Sequence, residues 1–66
     1  MRLTVNGTER EVEDGTTLSQ LVVQLGLQVG SVVVEHNGTA LLRSEVFTTE
    51  IADGDVLELI RAVAGG

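Results

Sequence analysis

Apolar and polar residues alternate along MRLTVNG. Met1, Leu3 and Val5 fall on one side and Arg2 and Thr4 on the other, the two-residue period of a half-buried strand. Asn6-Gly7 follows, a pair whose members both tolerate positive φ and so predicts a type I′ hairpin. TEREVE then returns as a more polar second strand, with Val12 inward and Glu9, Glu11 and Glu13 along a solvated face. The period changes after DGTT. Thr16 or Thr17 stands where a helix N-cap is wanted. Leu18, Leu21, Val22 and Leu25 are spaced i, i+3, i+4 and i+7, which makes one apolar helix stripe. Gly26 closes that helix. SVVVEHNG reads as a third strand running into a second hairpin signal, Asn37-Gly38, and TALL as a short fourth strand. RSEVFTTEI has no clear period; it predicts a single turn capped by Ser44, with Phe47 and Ile51 packing inward. ADGD is a turn, and VLELIR is the last strand, with Leu57 and Leu59 on one face and Glu58 and Ile60 on the other.

Strand, strand, helix, strand, strand, strand predicts an α+β domain in which a mixed sheet of four to five strands packs on one helix. A crossover joining parallel strands is right-handed. This is the ubiquitin-like β-grasp order. Leu3, Val5, Leu18, Leu21, Val22, Leu25, Leu57 and Leu59 make the predicted core. The division is a domain over residues 1–61 and a flexible tail over residues 62–66. Strand parity leaves Val33, Glu35, Glu58 and Ile60 on the sheet face away from the helix. An apolar centre rimmed by acid there predicts a partner-binding surface.

Composition narrows the function. The chain has 66 residues, too few for a second domain, and no cysteine, so a disulfide, a thiolate metal site and a thiol nucleophile are excluded. One histidine excludes a multi-histidine metal site. Ten acidic residues against four arginines, with no lysine, give a formal charge of −6, which argues against nucleic acid and for basic protein partners. No apolar run is long enough to span a membrane, and the N-terminus has no signal-peptide pattern. The expectation is a soluble cytoplasmic protein, monomeric when free.

Inside the fold no group of residues looks catalytic. Asp53-Gly54-Asp55 lacks the further ligands of a calcium loop and reads as a β-turn. His36 has no metal-binding companion and reads as structural or surface. No glycine-rich phosphate loop is present. The remaining feature is the end of the chain, RAVAGG. Ala62, Val63 and Ala64 are small, and glycine lacks a Cβ, so this segment can thread a channel too narrow for other residues. It would present its carboxylate to another protein's active site. A carboxylate is a poor electrophile, and adenylation with ATP is the simplest way to activate it. The segment therefore predicts a carrier whose reactive group is its own C-terminus.

With these motifs in hand, the whole chain resembles the ThiS family of sulfur carriers. The resemblance is carried by VNG, by the helix TLSQLVVQLGL, and by HNGTALLRSEVFTTEIADGDVLELIRAVAGG, in order and spacing. Two departures touch the loop and the packing but not the tail: Leu42 stands where the family often has proline, and Phe47 lies beyond Val46 in a region that often holds a bulky aromatic. The resemblance implies that a ThiF-like adenylyltransferase uses ATP and magnesium to adenylate the Gly66 carboxylate. Sulfur from a cysteine desulfurase persulfide then gives a C-terminal thiocarboxylate, which the thiazole synthase ThiG consumes in thiamin biosynthesis. Gly66 would carry the reactive carbonyl, Gly65 would let it thread, and Val63 and Ala64 would line the way in. The chain would be a protein cosubstrate and not an enzyme, with no cofactor of its own. The alternatives are the molybdopterin synthase small subunit MoaD, with the same fold and tail chemistry, a ubiquitin-like modifier, and a β-grasp binding module without tail chemistry.

Overall fold

The computed structural model describes residues 1–61. The first hairpin pairs β1 (Arg2–Val5) with β2 (Thr8–Glu11), antiparallel, from Arg2 opposite Glu11 to Val5 opposite Thr8. Asn6 and Gly7 take φ of 50° and 81°, as a type I′ turn requires. Helix α1 (Leu18–Gln24) follows. Thr17 is its N-cap: the Gln20 N–H donates to the Thr17 hydroxyl at 3.2 Å, and the Thr17 N–H donates back to the Gln20 side chain at 3.0 Å. This reciprocal pair satisfies two donors that a helix start otherwise leaves open. The helix ends in a Schellman motif, with the Gly26 N–H on the Val23 carbonyl and the Leu27 N–H on the Val22 carbonyl.

A short 3₁₀ turn, η1 (Val29–Ser31), leads into β3 (Val32–His36), and Asn37-Gly38 turns the chain into β4 (Thr39–Ala40). A second 3₁₀ turn, η2 (Arg43–Phe47), precedes β5 (Val56–Arg61). The five strands form one sheet in the order β2-β1-β5-β3-β4. β5 runs parallel to β1 and antiparallel to β3, and it lies at the centre. The helix packs on one face. This is the mixed sheet of a ubiquitin-like β-grasp, with five strands.

The core is Leu3, Val5, Leu18, Leu21, Val22, Val34, Val46, Leu57 and Leu59. Seven of the eight expected residues are in it; Leu25 is half-buried and packs against its edge. Val34 joins by the same alternation that turns Val33 outward. Val46 joins because η2 is a tight turn that aims this one residue at α1.

Three expectations in this stretch are corrected. Phe47 does not pack inward: it is 62% exposed at the end of η2, where the turn carries it past the core. Ser44 caps nothing, since η2 begins after Leu42, whose N–H donates to the Glu45 side chain at 2.7 Å. β3 begins at Val32 because Ser31 is still held in η1 by its N–H bond to the Gln28 carbonyl. Ile51 is half-buried against the core, as expected.

Candidate functional site

Val63, Ala64, Gly65 and Gly66, and the expected flexible tail as a whole, lie outside the described residues. What the structure places is the strand that leads to them. β5 is the central strand, bonded on both sides by backbone ladders. Two side chains add to the ladders. Where β1 turns away at Asn6, the Asn6 amide takes over the pairing: its oxygen accepts from the Leu59 N–H at 2.8 Å, and its nitrogen donates to the Leu59 carbonyl at 3.3 Å. At the other end, the Asn37 oxygen accepts from the Val56 N–H at 2.8 Å. Both hairpin asparagines therefore do more than permit positive φ. They fasten β5 at its start and near its end, so Arg61 leaves a strand fixed on both sides.

The start of β5 is further held by Asp55. The His36 Nε2–H donates to one Asp55 oxygen at 2.8 Å, the Ala52 N–H to the same oxygen at 2.9 Å, and the Asn37 amide to the other at 3.1 Å. Burial pushes the Asp55 carboxyl up. The hydrogen bonds from His36, Ala52 and Asn37 and the charge of His36 outweigh it, so the group sits below its ordinary value. Asp53 accepts from the Arg2 N–H. Both carboxylates of ADGD thus tie the β5 turn to its neighbours, and His36 is part of that structural cluster.

The face of the sheet opposite α1 carries the expected quartet. Val33 stands directly opposite Ile60, and Glu35 directly opposite Glu58. Val33 and Ile60 are 44% and 50% exposed. Val56, 45% exposed, belongs on the same face by the same parity, a residue the expected quartet does not include. Thr4 lies beside Val56 on β1, and Glu9 beside Thr4 on β2. Along this face the Glu35–Glu58 pair separates the Val33–Ile60 pair from Val56, so the acid lies between two small apolar patches instead of rimming a single apolar centre as expected. Glu35 and Glu58 are like charges in register, an arrangement that costs stability when nothing neutralises it. A cation supplied from outside would relieve that repulsion. No helix among the described residues is long and apolar enough to cross a membrane.

Comparison with known proteins gives this geometry its context. The family model described as the ThiS family matches residues 3–66. A sulfur carrier protein ThiS of Thermus thermophilus is 36% identical over 62 residues, covering 94% of this chain and 95% of that protein. A crystal structure of a thiamine biosynthesis protein (ThiS) from Geobacter metallireducens superposes with a TM-score of 0.81 at 37% identity, over the full length of both chains. A thiazole synthase of Paramagnetospirillum magneticum is 33% identical over 66 residues; all of this chain is matched, but it spans only 20% of that protein. The same holds for a thiazole synthase of Magnetococcus marinus at 30% identity. With the family match running from the first strand through the terminal glycines, and a solved relative sharing the whole fold, the chain belongs to the ThiS family.

Proposed function

We propose that this chain is a sulfur carrier of thiamin biosynthesis whose working group is the C-terminal carboxylate of Gly66. A ThiF-like adenylyltransferase supplies magnesium-ATP. A Gly66 carboxylate oxygen attacks the α-phosphorus, pyrophosphate leaves, and the carbonyl becomes an acyl-adenylate. A cysteine desulfurase persulfide then attacks that carbonyl and AMP departs. Cleavage of the resulting acyl disulfide by a thiol leaves the thiocarboxylate, which thiazole synthase uses as its sulfur source. The chain acts as a protein cosubstrate in these steps, presenting one carbonyl to a succession of enzymes. ATP and magnesium belong to the adenylyltransferase.

The observation that carries this reading is the extent of the family match, which includes the Gly65-Gly66 end together with the fold that precedes it. It favours the thiamin carrier over the molybdopterin synthase subunit. The two relatives named thiazole synthase, in which this domain is one-fifth of a longer chain, support thiazole synthase as a partner. Gly65 gives Gly66 a backbone that can enter a narrow channel, and Val63 and Ala64 line the way in. The Val33–Ile60 pair, with the Glu35–Glu58 pair beside it, is the docking surface for the adenylyltransferase, whose facing cation sits between the paired glutamates. The test is pyrophosphate release with the cognate adenylyltransferase. The full chain supports it, and a chain lacking Gly66 does not, because its carboxylate falls short of the α-phosphate by about one residue, ~3.3–3.6 Å.

A further inference from the structure

Arg43 and Arg61 both come beside η1, Arg43 at Gly30 and Arg61 at Ser31 and Val32. The Arg43 guanidinium lies against Gly30: a Cβ at that position would be 2.8 Å from Nη2 and 3.1 Å from Cζ. Gly30 is therefore the residue that lets Arg43 lie there, and any side chain would push it off. Arg61 ends β5 directly opposite Val32. With Leu27, Gln28, Ser31 and Val32 it lines a shallow groove of about 340 Å³. Both arginines are exposed, and among the described residues neither forms an ion pair. Arg2, by contrast, is held by Glu11 at 2.6 Å. In a chain of net charge −6, Arg61 thus ends the described strand with no ion pair among the described residues, and Arg43 lies against Gly30, two residues before the Val32 that faces Arg61.

We propose that Arg43 and Arg61 form a basic collar at the root of the tail, which docks on carboxylates at the mouth of the adenylyltransferase channel that receives Gly66. This rests on the carrier reading above. The length of the tail decides between protein and nucleotide as the partner of Arg61. Five extended residues span roughly 16–18 Å, well beyond the reach of an arginine side chain. When the Gly66 carboxylate is at the α-phosphate, Arg61 is still outside, at the rim. The sheet face asks for basic and apolar groups on the partner, and the collar asks for acidic ones. Two zones of opposite sign fix the orientation of docking, because a rotated carrier would set like charges against each other. The tail then enters only when its root is correctly placed.

The test is pyrophosphate release by the cognate adenylyltransferase, followed against the concentration of the full-length carrier. Arg61→Glu is expected to raise KM about tenfold while kcat stays within about twofold, since a rim charge acts on encounter and not on chemistry. Arg61→Gln is expected to raise KM less and to flatten its dependence on salt. Arg10→Glu makes the same charge change on edge strand β2 and is expected to leave KM unaltered. Arg43→Glu is expected to act in the same direction as Arg61→Glu; if circular dichroism shows that it misfolds, the Arg61 variants carry the test. A KM for Arg61→Glu within about twofold of the unmodified chain overturns the collar, as does an equal rise with Arg10→Glu. Deleting Gly66 separates the two failures. If the truncated chain is still adenylated at the normal rate, the carrier reading falls and the collar with it. If the truncated chain is inert while Arg61→Glu behaves as the unmodified chain, only the collar falls.

Discussion

Single residues here hold backbone as often as they fill space. Asp55 accepts three hydrogen bonds, from His36, Asn37 and Ala52, and is largely shielded from water. Its carboxyl lies below its ordinary value in the folded protein, so between the two values the unfolded chain binds more protons. Stability from this group is therefore complete above the ordinary aspartate range and is lost as pH falls through the depressed folded value. Urea midpoints measured from neutral to acid pH are expected to show this loss, and Asp55→Asn is expected to remove its share of the acid limb while lowering stability at neutral pH. An unaltered acid limb in Asp55→Asn would mean that the cluster does not titrate with folding. The two asparagines show the limit of reading at this scale. Asn-Gly announces a positive-φ turn, and both turns are present. Nothing local in the sequence says that the Asn6 and Asn37 side chains reach β5, because Leu59 and Val56 come beside them only when the sheet closes.

At the scale of elements, periodicity was a sufficient guide wherever a segment is long enough to have a period. β1, α1 and β5 present the faces their spacing predicts, and the helix carries both of its expected caps. Leu21 lies fully inside the stripe, and Leu25 at its edge. Leu21→Ala is expected to cost about 2–5 kcal/mol, a large part of the stability of so small a domain, and Leu25→Ala less. Denaturant titration compares them, and equal losses would mean that the packing gradient along α1 is wrong. The segment between β4 and β5 was less legible. A 3₁₀ turn of five residues repeats too briefly to show its three-residue period, so Val46 and Phe47 could not be told apart by pattern. Size favoured Phe47 as the buried one, and geometry chose Val46. The exposed ring of Phe47 now borders an open groove of about 620 Å³ with Thr16, Gln20, Val23 and Val29.

For the whole molecule, the fold serves as a mount. One sheet face is closed by α1; the other is open, with the Glu35–Glu58 pair between Val33–Ile60 and Val56; and the central strand leads at the edge of that face into residues 62–66. Parity alone placed Val33, Glu35, Glu58 and Ile60 together, and the register confirmed it by setting them in facing pairs. The two arginines beside η1 were invisible to that reasoning, since Arg43 and Arg61 meet the same turn only in three dimensions. Ile60→Asp adds a third charge beside the Glu35–Glu58 pair. It is expected to weaken binding to the adenylyltransferase by calorimetry, by about tenfold or more, while circular dichroism is unaltered. Binding that persists unaltered would move the docking surface elsewhere.

The central claim is that Gly66 carries the sulfur. Its most direct measurement is intact-protein mass after incubation with the adenylyltransferase, magnesium-ATP, a cysteine desulfurase with its cysteine, and a reducing thiol. The account predicts a mass increase equal to the exchange of one oxygen for sulfur, located by fragmentation on the terminal glycine and absent from a chain lacking Gly66. Sulfur incorporated at any other residue, or at an undiminished rate in the truncated chain, would contradict it.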